Sequence, residues 1–168
     1  LDIPRGKRLV TIGAFCLMPN HFHLVVQQKV ENGVSIFTRK LFTGYSMYFN
    51  VLYEHSGVVS QGAFKSRHVN TEAYFRYIFS YVHLNPLSLR FPNWEEKGID
   101  NHTDARDFLS NYTHSSFYDY SVRKRPRSSI LSMETAPDFL ETQNDLEELL
   151  ASFKGLTFET VDTVASPQ

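Results

Sequence analysis

An α+β fold, with an antiparallel sheet and helices on one face, is predicted by three features of the chain. Residues 9–18 and 21–28 are apolar runs with β-branched residues on either side of Pro19-Asn20, a turn signal, and read as a hairpin. Residues 34–55 and 70–86 instead repeat apolar residues at helical spacing. Residues 58–69 alternate as a third strand, and a helical extension follows.

Residues 1–8 form a polar entering arm in which Arg5, Lys7 and Arg8 lie close together. In the hairpin's second strand, His21 and His23 point to one face and Phe22 to the other. Two imidazoles side by side on a strand are half of a metal site. A bare His-x-His is more often one core and one surface histidine. Here the adjacent turn sets His21 at a strand entrance, which favours function.

Glu31-Asn32-Gly33 is a turn. In the helix over 34–55, Phe37, Leu41, Tyr45, Tyr48 and Leu52 make an apolar stripe that should cover one face of the sheet. Ser35 is its cap and Gly57 its stop, while Arg39 and Lys40 fall off the stripe. The strand over 58–69, interrupted at Gly62, places Phe64, Ser66 and His68 on one side and Lys65, Arg67 and Val69 on the other. Lys65 and Arg67 then suit phosphate contacts, or equally the protective charges of an ordinary edge strand.

The helix ending at residue 85 begins with Asn70 or Thr71 as cap and Glu72 in its first turn. Pro86 stops it and should push Asn85 out of helical geometry. Tyr81 and Asn85, four apart, share a face of the last turn, offering a phenol and an amide oxygen to one point. Tyr74, Tyr77 and Tyr81 alone would read as a packing face. Beyond lie a connector at 91–93, a short helix at 103–110 and a basic loop at 123–127 able to touch DNA backbone. An acidic amphipathic helix over 137–153 uses Leu146, Leu149, Leu150 and Phe153, and residues 157–168 should fray.

Charge is divided unevenly. Residues 1–92 carry ten Lys and Arg against four Asp and Glu, whereas residues 93–168 carry seven against fourteen, which together give the net −1. A basic front part with five of the seven histidines suits a polyanionic partner, and an aromatic content of 14% adds surfaces for stacking unpaired bases. One cysteine, Cys16, gives no disulfide framework and fits a reducing compartment. No segment reads as a signal peptide or membrane span, so the expectation is a soluble, cytoplasmic chain with no membrane partner.

The motifs FCLMPNHFHLVV and YVHLNP, with QGAFKSRHV between them and THSSFYDY behind, resemble the single-tyrosine HUH transposases of bacterial insertion sequences. The REP-associated tyrosine transposases are the most similar group. The resemblance runs from about residue 9 to about residue 131. It implies a ferredoxin-like sheet, a catalytic domain over 1–92 that lacks its first strand and helix, and a helical extension over 93–168. It implies Tyr81 as nucleophile, with Tyr77 as a less fitting substitute, and leaves His83 open. His21, His23 and Asn85 would hold a divalent ion, Mg²⁺ or Mn²⁺. The ligands would be single-stranded or hairpin DNA, met by Lys65, Arg67, His68, Lys7 and Arg8, with the protein a monomer or homodimer. The reaction would be nicking and rejoining through a 5′-phosphotyrosine. Two other classes stand beside it: a hairpin-binding protein that no longer cuts, and a metal-dependent phosphodiesterase using water.

Overall fold

The structure, a computed structural model, describes residues 6–60 and 62–136 together with Leu149, Leu150 and Phe153. It is α+β: β1 (Val10–Leu17) and β2 (Phe22–Gln28) make a two-stranded sheet, followed by helices. These are α1 (Gly33–Leu52), α2 (Glu72–Leu84), α3 (Trp94–Lys97), α4 (His102–Asn111) and α5 (Phe117–Ser121). No described helix is long and apolar enough to cross a membrane.

By its internal contacts the chain divides into two compact units. Of the described residues, 6–11, 26–60 and 62–68 form the first, and 12–25 and 69–136 with Leu149, Leu150 and Phe153 the second.

In the first unit, α1 begins at Gly33 rather than at a Ser35 cap. Asn32 precedes it in the left-handed region at φ 54°, without a side-chain cap bond. Asn tolerates that conformation, which lets the chain turn abruptly from β2 into the helix. The turn is tight: a Cβ on buried Gly33 would lie 2.4 Å from the Leu9 carbonyl oxygen. That neighbour is backbone and cannot swing away. Gly33→Ala is therefore expected to destabilise the fold by about 1–3 kcal/mol in urea titration. An unchanged midpoint would show that the turn relaxes freely.

The helix itself matches the sequence pattern, but its burial does not. Only Gly33 and Thr38 are buried along α1. Tyr45 (51%), Tyr48 (62%) and Leu52 (53%) of the expected sheet-covering stripe are exposed, as is Leu41. The strand expected over 58–69 is also absent: the described residues there adopt no strand, and Gly62 to His68 are exposed. Alternation alone does not make a strand without a partner whose backbone it can bond.

The second unit holds the main core, in which Phe79, Val82 and Leu84 of α2 pack with Cys16, Leu87, Trp94, Leu109 and Phe117. Thr71 caps α2, its hydroxyl accepting from the Tyr74 N–H at 3.1 Å. At the other end Asn85 stays helical (φ −51°, ψ −37°), contrary to expectation. The chain continues as a 3₁₀ turn over Asn85–Leu89, where Pro86 sits in the first turn and needs no N–H partner. Burial of Leu87 anchors this turn.

The outer edge of β1 is closed by a late part of the sequence. Cys16 bridges to Ser115 and Ile12 to Leu131, while the Ser116 N–H donates to the Phe15 carbonyl at 2.9 Å. Tyr112 and Tyr120 donate their hydroxyls to the Leu17 and Gly13 carbonyls, each at 2.6 Å. The Arg125 side chain, 10% exposed, pairs with Asp119 and also donates to the carbonyls of Thr113 and Ser115. Its guanidinium therefore holds the fold together, which removes Arg125 from the basic loop read as touching DNA, while Arg123, Lys124 and Arg127 are exposed. Of the expected acidic helix over 137–153, Leu149, Leu150 and Phe153 are helical and the rest lies outside the described residues, as does the tail from 157.

Candidate active site

The hairpin turn and the end of α2 meet within the second unit. Met18 N–H donates to the His21 carbonyl at 2.8 Å, closing the turn around Pro19-Asn20. His21 stands at the entrance to β2 and His23 two residues on, so strand parity sends both rings to the same face. Their centroids lie 4.9 Å apart, edge to face. Asn20 Oδ1 is 2.7 Å from His21 Nδ1, an arrangement in which a neutral His21 ring protonated at Nδ1 would present its Nε2 lone pair to a ligand.

Tyr81 packs its ring edge-to-face on His23 at 5.6 Å. One turn further, Asn85 is 6% exposed, and its side-chain amide donates to the Tyr81 hydroxyl. Burial raises the Tyr81 pKa above the ordinary phenol value, and the negative charge of Glu95 adds to this, while the Asn85 bond opposes it. Burial, and then the neighbouring His21, lower the His23 pKa, which favours the neutral ring that a metal ion binds.

Two buried polar atoms here have no hydrogen-bond partner: His23 Nε2 and Asn85 Oδ1. Buried acceptors are normally satisfied, so such orphans call for a ligand. With His21 they supply two imidazole nitrogens and one amide oxygen, a donor set that would favour Mn²⁺ over Mg²⁺ in affinity. No group of three or more His, Cys, Asp or Glu among the described residues could hold a metal. Any ion at this place therefore depends on the amide oxygen of Asn85.

The other residues singled out from sequence, Lys7, Arg8, Lys65, Arg67 and His68, belong to the first unit and are exposed there. His83 is wholly buried, its Nε2 2.6 Å from Ser116 Oγ, and burial pushes its pKa down to about 3. It is a structural pin between α2 and the segment that closes β1. Tyr77 stacks on Tyr81 with centroids 6.3 Å apart.

Sequence reading missed two participants. Asn20, seen only as a turn residue, orients His21; its place beside the first histidine was the available signal. Glu95, in a short helix that no periodicity announces, bears on Tyr81 through its charge.

Comparison of the chain with protein-family models, with curated proteins and with solved structures finds no match in any of the three.

Proposed function

We propose that this chain is the catalytic part of a tyrosine transposase of the HUH type, with a ferredoxin-like sheet, similar to the REP-associated group. It would cut and rejoin single-stranded DNA beside hairpins. The observation that carries the reading is the convergence of four side chains from two elements. A phenol on α2 touches a histidine from a His-x-His strand, and an amide whose oxygen lacks a partner is bonded to that phenol.

Tyr81 Oη attacks the scissile phosphorus and the bond from phosphorus to the 3′ oxygen breaks. The 5′ side stays on the tyrosine as an ester, and the phenolic proton ends on the freed 3′ hydroxyl directly or through water. The reverse step rejoins the strand, and no nucleotide cofactor is consumed. Asn85 directs Oη by its hydrogen bond, and Asn20 holds His21 in the tautomer a ligand needs. A bound divalent cation would polarise the phosphate and ease loss of the phenolic proton.

The test is incubation with end-labelled hairpin DNA and Mn²⁺, followed by a denaturing gel. A protein-linked DNA band is expected. His21→Ala and Asn85→Ala should each lose it by roughly 10²-fold or more, with part of the His21→Ala loss returning in excess Mn²⁺. Cutting without any attached protein would assign the chemistry to water and end the transesterase reading.

DNA binding by the first unit has its own test. Lys65→Ala with Arg67→Ala should weaken hairpin binding and lower the salt-dependence slope by roughly one for each phosphate that is no longer neutralised. An unchanged affinity across a salt series would leave both cations to solvent.

A further inference from the structure

We propose that the first unit carries a site for one unpaired nucleotide of a DNA strand, continued by a row of rings along α1. The inference rests on the single-strand reading above and adds a place where the strand is held. A cleft of about 210 Å³ lies between the first half of α1 and the loop around Gly62, lined among others by Ser35, Thr38, Arg39, Phe42, Ser60 and Phe64. Drug-sized ligands occupy roughly 300–1,000 Å³, so this volume suits a single flat ring and its phosphate.

The lining has the matching chemistry. Ser35, Thr38, Arg39 and Phe42 fall on one helical face by spacing. Arg39 is exposed and makes no ion pair or hydrogen bond among the described residues, so its fork of donors is open to a phosphate. Phe64 is 43% exposed, which leaves ring surface for a base. Thr38 is buried, its hydroxyl donating to the Val34 carbonyl, which gives the cleft a polar floor. Gly62, at φ +72° with nothing within 4 Å of a Cβ position, lets the loop turn without a side chain over the opening.

From Phe42 the same face continues through Tyr45, Phe49 and Tyr53. Tyr45 and Phe49 have centroids 6.1 Å apart, Phe49 and Tyr53 4.6 Å, and His55 lies 5.8 Å from Phe49. An aromatic stripe at helical spacing is usually core, but Tyr45 and Tyr53 here are exposed. Rings repeating once per turn, about 5.4 Å, make a platform for successive bases. Charge selects the occupant. The described residues of this unit hold seven Lys and Arg against two Asp and Glu, which attracts a polyanion and repels a second copy of the same unit.

The experiment measures binding of the full chain to a fluorescent oligothymidylate by anisotropy, without metal. Phe64→Leu should weaken binding by about 5- to 100-fold, the range that one stacked base accounts for, and Arg39→Ala by about 10- to 100-fold, the loss of a charge-assisted contact to phosphate. Lys40→Ala removes the same charge one residue along and should cost less than about threefold. Both sites are on the surface, and circular dichroism verifies that the variants fold. Equal losses for Arg39→Ala and Lys40→Ala would reduce the effect to a general field and overturn the site. Wild-type binding with unaffected Arg39 and Phe64 variants would overturn the site while sparing the single-strand reading. A wild type that binds no strand would overturn both. A doubled mass by light scattering that Phe64→Leu abolishes would make the face a contact between copies, and would also overturn it.

Discussion

Tyr81→Phe is expected to bind hairpin DNA and metal normally yet form no covalent adduct, a loss of roughly 10³-fold or more that no metal concentration restores. The substitution removes only the phenolic oxygen. The ring keeps its contacts with His23 and Tyr77, so the fold loses no more than the bond from Asn85, about 0.5–1.5 kcal/mol. A denaturing gel separates the alternatives. A water-using phosphodiesterase keeps cutting in the Phe variant and never becomes attached in the wild type. A protein that only binds shows neither cutting nor attachment in either form. Normal nicking by the variant would transfer the role to Tyr77, one turn away, or end the transesterification mechanism.

Arg125→Met is expected to cost about 3–5 kcal/mol in urea denaturation, the largest stability effect of any single change here. Asp119 has no exposed side-chain surface, and Arg125 and Ser128 are its partners. Burial alone would raise the Asp119 pKa. Hydrogen bonds from Arg125 and Ser128, with the Arg125 charge, hold it below the ordinary 3.8 instead. Because the folded value is depressed, the unfolded chain binds the proton more readily. The pair's contribution is then complete above the ordinary carboxylate value and is lost as pH falls through the folded one. The gap between wild type and Arg125→Met should thus be constant from pH 5 to 8 (~3 pH units around neutrality) and close only in stronger acid. Asp119→Leu added to Arg125→Met should recover part of the loss, since no lone charge stays buried. A cost for Arg125→Met below about 1 kcal/mol would assign the pair no more than a surface bridge.

How far the sequence foretold this arrangement depends on whether a feature is local. The hairpin was legible because β-branched runs and a Pro-Asn turn act over a few residues. The start of α2 was legible because Thr71 is the kind of residue that caps, and it does so. The pairing of Tyr81 with Asn85 follows from helical spacing alone. Residues 58–69 carry an equally clear alternation, yet a strand needs a partner and the pattern says nothing of one. The stripe on α1 correctly announced a helix but not its surroundings, since exposure depends on what is packed against it. Asn85 defied the rule for residues before proline because the buried Leu87 holds the chain in a tight turn there. Arg125 looked like any cation in an exposed basic run. Only the distant Asp119, Thr113 and Ser115 make it structural.

The bonds that close β1 also order events in time. They join residues 95 to 107 positions apart, from Tyr112 to Leu17, from Ser116 to Phe15 and from Tyr120 to Gly13. Loops of that length are slow to close, and little else on this side of the hairpin is local. During synthesis the first strand emerges long before its edge-closing segment, and waits with unpaired backbone groups while about a hundred more residues are made, at roughly 5–20 per second. The strand that pairs with the histidine-bearing one is thus held on its outer edge by residues made about a hundred positions later. Chains halted before residue 112 would expose a bare strand edge, the surface most prone to pairing with another chain.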